Sequence, residues 1–183
     1  MTNSLKITDN YIPFSLYDDL LMYSTEYNKV HWMGYNATPD NPLHHLIHST
    51  KPNTPHKGAT AWYNIRPVNP QWHNDIDSYC TRSGKKYIPK KLPQLTHLYY
   101  LKSPEEGGQL ELETGETVEP HTNRHVSFPC SIRHRVRPYK GNRVSIGIIW
   151  WHDTPIYGEL PDNNTCSLHR QWEIEDASTD EKN

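Results

Sequence analysis

Gln71-Trp72-His73-Asn74-Asp75 sets an imidazole and a carboxylate two residues apart in a stretch that reads as extended. In an extended chain that spacing puts both side chains on one face. One more nitrogen ligand would complete a facial set of two histidines and a carboxylate, which suits non-haem Fe(II) because it leaves coordination positions open. His134, in Ser131-Ile132-Arg133-His134-Arg135-Val136, stands in a second strand-like run and can supply it, with His121 and His125 as rivals by residue type. Arg133, Arg135 and Arg137 alternate with His134 and Val136 and should therefore face away from the metal. Asp77 shares the face of Asp75 but lies ~7 Å further along a strand, so Asp75 is the better ligand.

A second run, Gly141-Asn142-Arg143-Val144-Ser145-Ile146-Gly147-Ile148-Ile149-Trp150-Trp151, alternates so that Arg143 and Ser145 share a face with Gly147 and Ile149. Its Gly141-Asn142 turn should fold it back antiparallel beside the His134 strand. A cation and a hydroxyl would then face the same cavity as the metal. With Tyr100-Leu101 and Gly107-Gly108, the ordered set His73, Asp75, Tyr100, Gly107-Gly108, His134 and Arg143 resembles the iron(II) and 2-oxoglutarate-dependent dioxygenase superfamily, in particular its prolyl 4-hydroxylase-like branch, over about residues 60 to 151.

That resemblance implies roles. By order and by its nine-residue distance to Arg143, His134 is preferred to His121 and His125 as the third ligand. Arg143 would pair with the far carboxylate of 2-oxoglutarate, with Ser145 and Tyr100 adding neutral donors. Tyr63, ten residues before His73, would line the cosubstrate site. The implied cofactors are Fe(II), 2-oxoglutarate as cosubstrate and O2, with ascorbate as a candidate reductant. The implied reaction hydroxylates a C-H bond, first of all on a prolyl residue or a related peptide or amino acid, while 2-oxoglutarate and O2 become succinate and CO2. The basic stretch containing Lys85, Lys86, Lys90 and Lys91 would be a substrate lid. Two other readings stand beside this one. A hydroxylase of a small molecule or nucleic acid in the same superfamily is the first; nucleic-acid dealkylases carry a second arginine six residues after the cosubstrate arginine, where this chain has Ile149. A non-catalytic, cupin-like metal-binding module is the second, and the complete ligand and anchor set speaks against it.

Elements must position these groups. Leu5 to Ile12 reads as an edge strand, Ser15 as the cap of a helix to about Lys29, and Pro42 as the start of a second helix capped by Asp40 or Asn41. His44 and His48 on that helix have no carboxylate at ligand spacing and read as a solvated face. From Ala59 the pattern is extended: a strand to Arg66, the His73 segment, Leu95 to Leu101, Gln109 to Glu113 with Leu110 and Leu112 inward, Val118 to Pro120 and Arg124 to Pro129. Short strands joined by Gly and Pro turns fit a mostly β protein, a double-stranded β-helix or cupin-like jelly-roll barrel with N-terminal buttressing helices. We divide the chain into a helical buttress and loop at 1–58, the catalytic barrel at 59–172 and a polar tail at 173–183.

The bulk properties agree. A chain of 183 residues suits one domain, and 12 Tyr, 6 Trp and 15 Pro against 2 Phe favour strands and turns. A net charge of -2 argues against general polyanion binding and gives no strong nucleic-acid signal; the partner that the resemblance implies is a peptide or small-molecule substrate. Three widely spaced cysteines support neither a disulfide framework nor structural zinc. No basic-then-apolar leader opens the sequence, and the longest apolar run falls short of the ~20 residues that span a bilayer. A soluble, cytoplasmic protein is expected.

Overall fold

A computed structural model describes residues 5–26, 31–53, 56–65, 71–73, 75 and 95–151. In chain order the elements are β1 (Lys6–Asp9), α1 (Phe14–Glu26), β2 (His31–Gly34), α2 (Pro42–Ser49), β3 (Gly58–Asn64), β4 (Leu95–Lys102), β5 (Glu106–Gly107), β6 (Leu110–Leu112), β7 (Thr117–Val118), β8 (Arg124–Pro129), β9 (His134–Val136), β10 (Tyr139–Lys140) and β11 (Val144–Trp151). Among the described residues they form a six-stranded sheet in the order β1-β8-β4-β11-β3-β2, a three-stranded sheet β7-β6-β9 and a two-stranded ribbon β10-β5.

The large sheet has two buried faces, and β11 shows why. Every residue of β11 is buried, as suits a strand with neighbours on both sides and layers above and below. Val144, Ile146, Ile148 and Trp150 point to one face, where they pack with Leu20 of α1 and with Leu43, Leu46 and Ile47 of α2. The other face packs Leu98, Tyr100, Val126 and Phe128 against Leu110, Leu112 and Val118 of the small sheet. The two sheets thus sandwich a core, and the helices buttress the outer side. This is the expected jelly-roll arrangement.

Three local expectations change. Residues 143–151 do not pair with the His134 strand: β11 lies between β3 and β4, while β9 pairs with β6 in the small sheet. An apolar run with both faces buried belongs in the middle of the larger sheet, and the chain crosses to it through β10 and the Gly141 turn, which has φ of 79°. Helix α1 begins one residue before Ser15, and Tyr17 N–H donates to the Pro13 carbonyl at 3.0 Å, so Ser15 sits inside the first turn instead of capping it. The segment assigned as helical buttress also contributes both edge strands of the large sheet, β1 as expected and β2, which the sequence pattern did not disclose. For α2 the cap is Asn41, whose side chain accepts the His44 N–H at 2.9 Å.

On the helix side of the sheet, His97 and His125 stack nearly parallel with ring centroids 5.3 Å apart, and His97 Nδ1 lies 3.1 Å from His125 Nε2. Tyr99 stacks on His125 at 4.5 Å and Tyr11 leans on it at 4.5 Å. Burial pushes His97 down to about 4; burial and then the neighbouring His97 push His125 down to about 3. Both are therefore neutral at pH 7, one imidazole donating to the other. Their folded values lie below the unfolded value of about 6.5, so as pH falls the unfolded chain takes up protons first. The stability they contribute is complete above about pH 6.5 and drains as pH drops toward 4 and then 3. Melting curves from pH 7.5 to 4 should show a loss on the order of a few kcal/mol, and His125→Phe should flatten that dependence. An equally steep loss in the variant would assign the acid sensitivity elsewhere.

Candidate metal centre

His73 and His134 meet through the backbone. His73 N–H donates to the His134 carbonyl at 3.0 Å and His134 N–H donates to the His73 carbonyl at 2.7 Å, an isolated antiparallel bridge that joins the segment around His73 to the start of β9. Directly opposed residues share a face, and the two imidazoles lie with centroids 4.3 Å apart. Each Nδ1 sits against a carbonyl oxygen two residues upstream, His73 on Gln71 at 3.0 Å and His134 on Ile132 at 3.1 Å. A carbonyl only accepts, so Nδ1 carries the proton and Nε2 keeps its lone pair, the tautomer a metal ligand needs.

Asp75 completes the set. Its Oδ2 is 3.5 Å from His134 Nε2 and its Oδ1 is 3.8 Å from His73 Nε2. One ligand atom from each of the three lies within 4.8 Å of the others, and this is the cluster of its kind among the described residues. Burial holds the His134 pKa below its usual range, while Asp75 pulls the other way; the imidazole is kept neutral, as ligation requires. Phe128 meets the His134 ring edge-on at 4.8 Å and fixes its tilt. The rival histidines are elsewhere: His125 is on the helix face of β8 and His121 is exposed.

Arg143 lies along the same cavity. It is 3% exposed, its Nη1 donates to Ser145 Oγ at 2.9 Å, and its guanidinium carbon stands 5.0 Å from the Tyr100 ring centre and 6.0 Å from that of Tyr139. Arg143 Nε and Nη2 and the Tyr100 hydroxyl are buried with no hydrogen-bond partner. A buried cation with donors unmatched is costly unless an anion completes it. Burial raises the Tyr100 pKa, with Arg143 opposing, so the phenol is a neutral donor. The register confirms the shared face: Ser145 pairs with Tyr100 on one side and with Asn64 on the other. Gly107 and Gly108, both at φ 77°, make the close approach possible; a Cβ on Gly108 would lie 2.9 Å from Pro104 and 3.4 Å from both Arg143 and Tyr139. One cavity of about 110 Å³ is lined by His73, Asp75 and His134 and by Arg143. A facial two-histidine, one-carboxylate set beside an unsatisfied buried guanidinium fits an Fe(II) ion and a small dicarboxylate.

Residues 63–152 match the model of a family described as the 2OG-Fe(II) oxygenase superfamily. The chain belongs to this superfamily. It is a 2-oxoglutarate-dependent dioxygenase that uses Fe(II). No curated protein matches it by sequence. Among solved structures it is similar to a Pseudomonas putida prolyl-4-hydroxylase (15% identity, TM-score 0.58, 83% of this chain and 94% of that one). The viral collagen prolyl hydroxylase of Paramecium Bursaria Chlorella virus-1, in its 2OG complex, is also similar (16%, 0.53, 80% and 93%). So is a Trichoplax adhaerens prolyl hydroxylase in complex with a hypoxia inducible factor oxygen degradation domain peptide fragment (17%, 0.53, 86% and 89%). The oxygenase is mostly β and shares their double-stranded β-helix. No helix among the described residues is long and apolar enough to cross a membrane.

Of the oxygenase residues expected to touch cosubstrate, Tyr63 is misplaced. It pairs with Ile146 and belongs to the helix face, where its hydroxyl reaches the Leu20 carbonyl at 3.4 Å. Its neighbours Trp62 and Asn64 line the cavity instead, because adjacent residues of a strand face opposite ways. Lys85, Lys86, Lys90, Lys91 and Asp77 lie outside the described residues. The three arginines around His134 do face away: Arg135 and Arg137 each donate through Nε to Glu111 at 2.6 Å, and Arg133 reaches the Trp72 carbonyl.

Gly147 explains the small residue on the cavity side of β11. A Cβ there would stand 2.4 Å from Trp62 Cζ2, so Gly147→Ala must displace the indole that walls the cavity. The expected cost is about 1–3 kcal/mol of stability together with weaker 2-oxoglutarate binding, read from melting temperature and anaerobic titration. A variant with unchanged binding and melting would show that Trp62 moves freely.

Proposed function

We propose that His73 and His134 through Nε2 and Asp75 through its carboxylate hold Fe(II), and that Arg143, assisted by Ser145 and Tyr100, holds the far carboxylate of 2-oxoglutarate. The observation that carries this reading is the buried Arg143, with two donors unsatisfied, lining the same cavity as the His-Asp-His cluster. Fe(II), 2-oxoglutarate and O2, when bound, supply the oxidation that turns a substrate C-H into C-OH with release of succinate and CO2. The chain's own residues do the rest. Ring orientation at the metal comes from the Gln71 and Ile132 carbonyls on the two Nδ1 atoms. Arg143 and the neutral Tyr100 phenol orient the dicarboxylate by charge-assisted and neutral hydrogen bonds. Leu98, Leu110, Phe128 and Val136 line the cavity with apolar surface, and a low local dielectric strengthens those contacts.

The substrate we assign is a prolyl residue in a peptide. Support comes from the fold shared with prolyl hydroxylases of bacterial, viral and animal origin, one of them solved with a peptide fragment. A cytoplasmic setting is part of the same proposal. The test is a mass gain of ~16 Da on proline-rich peptides with Fe(II) and 2-oxoglutarate, matched by succinate release. Oxidation of free amino acids or other small molecules with no change in any peptide would replace the prolyl assignment with a small-molecule one.

A further inference from the structure

Asp75 does not hold its orientation alone. Thr96, 2% exposed and on the cavity face of β4, donates from Oγ1 to Asp75 Oδ2 at 2.8 Å. We propose that Thr96 is a positioning residue that fixes which carboxylate oxygen of Asp75 serves as ligand and keeps the other from joining it; the inference rests on the reading of His73, Asp75 and His134 as the Fe(II) site. The final torsion of an aspartate side chain is soft and nearly two-fold, so by itself it sets no preference between the oxygens. Here the two oxygens face different imidazoles, Oδ2 toward His134 and Oδ1 toward His73. A hydroxyl bonded to Oδ2 stops the carboxylate from turning and occupies that oxygen, leaving Oδ1 as the stronger donor. Two-oxygen binding would fill a position that a facial set must leave open.

The support is rigid. Strand β4 is paired on both sides, with Thr96 opposite Phe128 of β8 and opposite Ile149 of β11. Phe128 is also the ring that meets His134 edge-on at 4.8 Å. One cross-strand pair therefore holds the carboxylate through Thr96 and the distal imidazole through Phe128.

The experiment measures Mn(II) dissociation constants by electron paramagnetic resonance titration, without oxygen, for the wild type and for Thr96→Val, Thr96→Ser and Asp75→Ala, with the melting temperature of each metal-free protein. Thr96→Val should weaken Mn(II) roughly 10- to 100-fold with an unchanged metal-free melting temperature, and Thr96→Ser should recover most of the affinity. Wild-type affinity in Thr96→Val alongside its loss in Asp75→Ala would overturn the role of Thr96 and leave the metal site standing. Unchanged affinity in both would overturn the metal site itself. Should the valine variant not fold, Thr96→Ala takes its place: weaker binding than Thr96→Ser supports the role, and equal binding removes it.

Discussion

Arg143→Ala is expected to cost on the order of 2–5 kcal/mol in 2-oxoglutarate binding, roughly thirtyfold or more in the dissociation constant. The reason is asymmetry: with the guanidinium gone, the ligand carboxylate would enter a water-poor pocket against Ser145 and the Tyr100 phenol with no countercharge. Arg143→Lys should retain part of the affinity, since the charge survives and the planar fork does not. Arg135→Ala should leave binding unchanged, because Arg135 donates to Glu111 on the far face of the small sheet. The measurement is the 2-oxoglutarate dissociation constant of the Mn(II) protein without oxygen. Loss in Arg135→Ala with affinity kept in Arg143→Ala would mean that the cosubstrate enters from the other side of β9.

His73→Ala, Asp75→Ala and His134→Ala should each abolish turnover, since a facial set has no spare ligand. They should also remove the stabilisation that metal gives. A metal ion at a hundred times its dissociation constant adds ~2.7 kcal/mol to the folded state, a rise in melting temperature that the wild type should show and the variants should not. His121→Ala, on an exposed turn, should behave as wild type in both assays. A His121→Ala protein that lost the metal-dependent rise while His134→Ala kept it would transfer the third ligand to His121.

The proximity of His73 and Asp75, the pair proposed as metal ligands, was legible because two residues of spacing in an extended segment is a local pattern. The faces of β4 and β11 were legible for the same reason: alternation alone puts Tyr100 with Leu98 and Ser145 with Gly147. Tyr63 failed by one residue. Counting back from His73 gives a position but no register, and on a strand an error of one turns the side chain to the opposite face. The neighbours of β11 also escaped the reading, since β3 and β4 reach it from distant parts of the chain and no local pattern encodes that choice. The same holds for β2, four residues whose strand character comes from pairing with β3. Thr96 was hidden in plain view as an ordinary β-former, its role visible only once Asp75 stands beside it.

Among the described residues, the two sides of the proposed metal site are held by different kinds of contact. Thr96 sits on a doubly paired strand inside the large sheet, whereas among the described residues the 71–73 segment is tied to β9 by two backbone hydrogen bonds, by Arg133 on the Trp72 carbonyl and by Arg135 over the Trp72 indole at 4.8 Å. In amide hydrogen exchange, β4 and β11 should open only with the whole molecule, while His73 and His134 should exchange through a cheaper local opening. A metal ion that bridges both imidazoles and Asp75 would close that opening. The ion would then act as a clasp between a fixed wall and a looser one, with slowed exchange confined to the His73–His134 bridge as its signature.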